Sequence, residues 1–330
     1  MNDPERLIEP DVTLPGGVTV GHFSDFGGWT GCTVILGPDG SVSSGEVRGG
    51  GPATHEFELL SPATAPPGAQ AVLLCGGSAF GLGAVTGVVE WLRGKGRGYP
   101  TPAGPVPLVT AASCFDLPVG SSDAWPGPEG AREACEAASR EFERGCVGAG
   151  TGCTVGKVSG EGGWTKSGLG AATVRVGEAT MTAIAVVNAF GEVTGANGEV
   201  IAGCRDDGTG GGSGAWKRTL EVLASSPGRM PLGEATTLVC ITTDADLTKA
   251  EAWQVARAAA PGFARALSPA ATAVDGDLAI CLATGEVEAD PFLLTIFAGE
   301  VVAEAIRDGA RQATDGAGIP VAAGRTATGG

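Results

Sequence analysis

Pro231-Leu-Gly-Glu-Ala-Thr-Thr-Leu-Val-Cys240 is the stretch on which the reading of this chain turns. Its second half is β-branched and apolar, the composition of a buried strand, which is expected over residues 237–243. Upstream lies Asp206-Asp-Gly-Thr-Gly-Gly-Gly-Ser-Gly214, too poor in apolar groups to pack and expected to be a flexible linker. A flexible segment leading into a strand that begins abruptly is the arrangement a chain cut at that junction would need.

Outward from this point, short apolar runs bounded by Gly, Pro and Asp recur along the chain. They predict strands over residues 17–22, 32–36, 71–75, 108–112, 173–176, 181–187 and 278–283 as well. Helical periodicity appears over 79–93, with Ala84, Val85, Val88, Trp91 and Leu92 on one face, and over 130–144, a polar surface helix. A third helix begins at Thr248, which forms a Thr-x-x-Glu capping box with Glu251, and Pro261 should kink or divide it.

The surface chemistry narrows the partners. Acidic residues outnumber basic ones, 37 to 21, and the net charge of −16 repels phosphate backbones and anionic lipid. Neither nucleic acid nor membrane is therefore an expected partner. No apolar run is long enough to span a bilayer, and the first residues lack the charge and apolar pattern of a secretion signal. Nine cysteines without a Cys-x-x-Cys pair read as reduced, buried thiols of a cytoplasmic protein rather than disulfides or a zinc site. No metal and no cofactor is expected.

Elimination limits the chemistry further. The only histidines are His22 and His55, and neither stands in the context of a catalytic base. His55-Glu56 lacks the second His of a zinc-protease motif, and Gly76-Gly-Ser-Ala-Phe80 lacks the closing Gly of a nucleophile elbow. In Gly150-Thr-Gly-Cys-Thr-Val-Gly-Lys157 the Gly spacing is wrong for a phosphate loop, and Val158 replaces the magnesium-binding hydroxyl. What remains is a threonine that uses its own α-amine as base. With a pKa near 7.7–8.0, such an amine is partly neutral at cellular pH. An internal threonine gains that amine only if the chain is cut just before it.

Ordered landmarks carry a resemblance. They are Val18-Thr-Val-Gly-His22, Thr30-Gly-Cys-Thr-Val-Ile35, Arg48-Gly-Gly-Gly-Pro52 and Gly76-Gly-Ser-Ala-Phe-Gly-Leu82. Val147-Gly-Ala-Gly-Thr-Gly152, Val155-Gly-Lys157 and Val186-Val-Asn-Ala-Phe-Gly191 follow. Ala235-Thr-Thr-Leu238, Thr242-Thr-Asp-Ala245, Leu247-Thr-Lys-Ala250 and Asp275-Gly-Asp277 complete the series. Over nearly its whole length the chain resembles the L-aminopeptidase/D-amino-acid esterase family, which includes β-aminopeptidases and nylon-oligomer hydrolases.

The resemblance implies an α/β protein with mixed sheets, a four-layer αββα sandwich forming one compact domain over residues 1–330. It implies self-cleavage into a large chain, 1–235, and a small chain, 236–330, and assembly into homo-oligomers of four or more. Thr236 matches the nucleophile, Ala235 the residue before the cut, and Asp275 and Asp277 an acidic pair. Lys157 and Asn188 match polar groups lining the site, Asn188 as a candidate oxyanion donor, and Phe115 matches an aromatic ring of the substrate pocket. The expected activity is hydrolysis of amide bonds in small peptides or amino-acid amides. Ornithine-acetyltransferase-like acyl transfer, or an unprocessed binding or assembly protein, are the alternatives. One departure stands out: Ala235 occupies a position where the family often has Asn and sometimes Gly, residues that tolerate strained backbone better.

Overall fold

The structure, a computed structural model, describes residues 7–9, 11–206, 216–225 and 235–322. Beyond Asp206, the linker lies outside the described residues, as do residues 231–234 of the quoted stretch.

Two five-stranded sheets form the centre. The first has the order β1 (Thr19–Asp25), β2 (Thr30–Leu36), β5 (Ala71–Cys75), β6 (Val109–Ser113) and β4 (Ala53–His55). The second runs β3 (Val42–Val47), β17 (Leu278–Val287), β15 (Thr236–Ala245), β10 (Ala179–Asn188) and β9 (Leu169–Val176). Pairing is antiparallel except for β5 with β6 and β15 with β17. All eight strands read from the sequence are present.

Side-chain alternation shows how the layers stack. In β5, Val72 and Leu74 meet Ile184, Val186, Leu238, Cys240, Leu278 and Ile280 of the second sheet in a core between the sheets. Ala71, Leu73 and Cys75 point the other way, onto α2 (Val85–Gly94) and α3 (Pro128–Glu136). In the second sheet Met181, Val239, Ile241 and Cys281 face α5 (Lys249–Ala258), α6 (Ala260–Ala266) and α7 (Pro291–Gln312). The result is the αββα sandwich. Strands buried on both faces explain why β5 is an uninterrupted apolar run.

The helices show where local pattern was overridden. Residues 79–93 do not form one helix. The turn α1 (Ser78–Gly81) passes through a 3-10 turn, Leu82–Ala84, into α2, and two glycines, Gly81 and Gly83, weaken the start. The helix expected over 130–144 ends at Glu136. Ser139 leaves it to exchange both main-chain hydrogen bonds with Val20 of β1, at 2.9 and 3.0 Å. Nor is α3 wholly at the surface, because Ala131, Ala134 and Cys135 are buried. The third reading holds: Thr248 and Glu251 form both halves of the capping box, and Pro261 opens a new helix, α6.

Small elements complete the described structure. They are β7 (Thr154–Val155) with β8 (Thr165–Lys166), β11 (Glu192–Thr194) between β12 (Val200–Ala202) and β16 (Leu267–Ser268), β13 (Cys204–Arg205) with β14 (Trp216–Lys217), and α4 (Thr219–Ser225). No helix among the described residues is long and apolar enough to cross a membrane.

Candidate active site

The strand β15 begins at Thr236, in the middle of the second sheet. On one side its first residue pairs with Asn188, the last residue of β10. On the other, Ala235 forms a parallel bridge with Asp275, in the loop that leads into β17. Sheet topology alone thus gathers Ala235, Thr236, Asn188, Asp275 and Asp277, which the sequence spreads over ninety residues. All five are buried.

The Ala235 carbonyl oxygen is gripped twice. The Thr236 hydroxyl donates to it at 2.6 Å and the Gly276 N–H at 2.9 Å. Gly276 has no room for a side chain, since a Cβ there would stand 2.7 Å from Thr236 Oγ1. The reading of the sequence missed this residue, although it lies between the two aspartates.

The acidic pair lies in the loop just before β17, and both carboxylates converge on one turn. Asp277 accepts from the N–H of Thr237 at 2.6 Å and of Ala271 at 2.8 Å, and Asp275 accepts from the N–H of Thr272 at 2.8 Å. Burial, and secondly the neighbouring Asp275, raise the Asp277 carboxyl to about 7, against the pull of its two N–H donors. Arg48-Gly-Gly-Gly-Pro52 holds this loop from outside. The N–H groups of Arg48 and Gly49 donate to the Asp277 carbonyl and that of Gly51 to the Asp275 carbonyl. A Cβ on Gly49 would lie 2.0 Å from that Asp275 oxygen, so only glycine allows the approach.

Asn188 is clamped from three sides. Its Oδ1 accepts from the Thr154 N–H at 3.1 Å and from Lys157 Nζ at 2.9 Å, and its Nδ2 donates to the Phe115 carbonyl at 2.8 Å. This pattern fixes which end of the amide is nitrogen. Lys157 is itself buried, 5.7 Å from the centre of the Trp164 ring. Phe115 is half-buried, and its contribution to the clamp is a main-chain carbonyl.

The other nucleophile and base candidates are occupied elsewhere. His22 shares hydrogens with Thr33 Oγ1 and the Glu143 carbonyl, and burial lowers it to about 4. All nine cysteines are free and buried. Desolvation pushes Cys75 and Cys281 up to about 12, so they stay protonated. Among the described residues, no group of His, Cys, Asp or Glu could hold a metal ion.

Comparison with known proteins makes the chain a peptidase or amidohydrolase and gives its sandwich the N-terminal-nucleophile fold. The chain belongs to Peptidase family S58, whose pattern matches residues 11–322. An uncharacterised aminopeptidase of Mycobacterium tuberculosis is 36% identical over 305 residues, 85% of this chain and 83% of that one. A 6-aminohexanoate-oligomer endohydrolase of Agromyces sp. is 29% identical over 281 residues, 82% of this chain and 74% of that one. Among solved structures, the L-aminopeptidase D-Ala-esterase/amidase of Ochrobactrum anthropi, described as a new variant among Ntn hydrolase folds, superimposes with a TM-score of 0.68 at 19% identity. That match covers 97% of this chain and 94% of that one. A Burkholderia sp. β-aminopeptidase gives 0.66 at 21% identity, covering 96% and 93%.

Proposed function

We propose that the chain cuts its own Ala235–Thr236 bond and that the exposed Thr236 then hydrolyses amide bonds of small peptides or amino-acid amides. The observation that carries this reading is the doubly held Ala235 carbonyl, with the adjacent hydroxyl 2.6 Å from its oxygen. In the first step Thr236 Oγ1 bonds to the Ala235 carbonyl carbon, and the negative charge that develops on oxygen meets the Gly276 N–H. One such donor is worth about 3 kcal/mol. Collapse breaks the C–N bond, the Thr236 nitrogen takes up the proton the hydroxyl lost, and water hydrolyses the resulting ester. With Asp277 raised to about 7, the acidic pair is suited to take and return that proton near neutrality.

After cleavage the liberated amine serves the same hydroxyl as base, and a substrate amide replaces the Ala235 carbonyl. Asn188 has a second N–H beyond the one donated to Phe115, which suits it to the oxyanion of that reaction. Linear 6-aminohexanoate oligomers are a natural first substrate to assay, because endohydrolases named for them are among the relatives. Assembly of the processed units into homo-oligomers, in the cytoplasm, belongs to the same reading.

Denaturing mass spectrometry of the purified, aged protein tests it. Two fragments are expected, residues 1–235 and 236–330, the second opening on Thr236. Thr236→Ala should abolish both cleavage and amidase activity. An aged sample that contains only intact chain refutes the reading.

A further inference from the structure

Behind the site lie two buried charges that the proposed chemistry does not use. Lys166 is completely buried, and its Nζ donates to the main-chain carbonyls of Thr151 at 2.7 Å and Cys153 at 3.0 Å, 5.5 Å from the centre of the Trp29 ring. Asp116 is equally hidden, and accepts from the Gly77 N–H at 2.6 Å and from Thr30 Oγ1 at 2.8 Å. Taking either group out of water is unfavourable until its partners are counted, and burial raises the Asp116 carboxyl above its ordinary range. A chain that needed only core packing would place apolar groups here.

Both charges bear on the same three-residue turn. Lys166 holds the carbonyls at its two ends, while Asp116 packs on its middle, where a Cβ on Gly152 would lie 2.6 Å from Asp116 Oδ2. The turn runs directly into Thr154, whose N–H holds Asn188 Oδ1. On the other side of the amide, Asp116 is the chain neighbour of Phe115, whose carbonyl holds Asn188 Nδ2. The two charges therefore stand one step behind both main-chain groups of the clamp.

We propose that Lys166 and Asp116 are positioning residues for Asn188, fixing the Thr151–Gly152–Cys153 turn and the Phe115 carbonyl so that the side-chain amide is locked in its working orientation. This rests on the hydrolase reading above, in which Asn188 meets the substrate oxyanion. Removing the ammonium frees two carbonyls to seek other partners, and the turn, Thr154 and Asn188 Oδ1 shift with them. A misplacement of about 1 Å is enough to cost two orders of magnitude in rate.

A mutant cycle tests it in the full-length, processed enzyme with a small amino-acid amide as substrate. Lys166→Met should lower kcat about tenfold or more with KM within about twofold, the pattern of an interaction made in the transition state. In an Asn188→Ala background the same change should cost nothing further, because its effect passes through Asn188. A wild-type kcat in Lys166→Met, or an undiminished penalty in the Asn188→Ala background, overturns the proposal. Asp116→Asn, nearly isosteric, is measured in the same cycle in case Lys166→Met does not fold. A crystal structure of Asp116→Asn in the uncut Thr236→Ala chain gives a reading free of activity. The Asn188 Nδ2 to Phe115 O distance should open beyond 3.5 Å, and an unchanged clamp overturns the proposal even if wild type proves inactive. Inactivity of the wild type would instead refute the hydrolase reading.

Discussion

At the scale of single residues, the Asp277 carboxyl gives the chain a definite pH signature. An unfolded Asp titrates near 3.9, whereas here burial and Asp275 raise it to about 7. The folded state thus binds this proton more tightly, and unfolding releases it between those values. The stabilisation is complete below about pH 4 and is lost as pH rises to about 7. Melting temperatures of the uncut Thr236→Ala chain should therefore fall across that window from this group, and adding Asp277→Asn should flatten the fall. An equal slope in both proteins would show that other groups set it. Gly276 makes a second prediction. In Gly276→Ala the main-chain N–H remains, but the new Cβ meets Thr236 Oγ1 at 2.7 Å and the Gly51 carbonyl at 3.1 Å. Self-cleavage should slow about a hundredfold in a folded protein, followed as the decay of intact chain by mass spectrometry with circular dichroism as the control for folding.

Secondary-structure elements differ in how much of themselves they carry in sequence. The α5 boundary was legible because capping is local: Thr248 and Glu251 answer each other across one turn. Thr248→Ala should cost about 1 kcal/mol, lowering the melting temperature by about 2 °C while leaving self-cleavage at the wild-type rate. A change in cleavage rate would mean that this helix end bears on the site. By contrast, β3 escaped notice because Val-Ser-Ser-Gly-Glu-Val reads as polar. Ser43 and Ser44 are nonetheless completely buried, their hydroxyls bonded to the Ala69 and Leu60 carbonyls. The longest helix, α7, was also missed. Its N-terminal turn shows Phe292, Leu293 and Ile296 to solvent, which blurs the apolar stripe that Leu294, Ala298, Val301, Val302 and Ile306 bury. Strands of two or three residues, such as β7 and β8, are too short to show any alternation. The same limit hid Lys166 and Asp116. They are fifty residues apart, and most of their partners are main-chain groups that every residue possesses.

At the scale of the whole molecule, the position of β15 decides what cleavage can do. The proposed cut falls at its first residue, yet the strand is the third of five in its sheet. On one edge it pairs with β10, from the large chain, over eight residue pairs from Met181↔Thr243 to Asn188↔Thr236. On the other it pairs with β17 of its own fragment, which in turn pairs with β3 of the large chain. Both faces of β15 are buried as well, Val239 and Ile241 toward the helices and Leu238 and Cys240 toward the first sheet. Cutting one peptide bond removes none of these contacts, while expelling the small fragment would open two strand edges and divide two cores at once. The two fragments should therefore co-elute as one species in native size-exclusion chromatography and separate only in denaturant. They should also melt in one transition, because the second sheet and both cores that flank it draw on both fragments. Free small fragment eluting alone under native conditions would show that β15 is not held at the centre of the sheet. That result would remove the geometry that brings Thr236, Asn188 and the aspartates together.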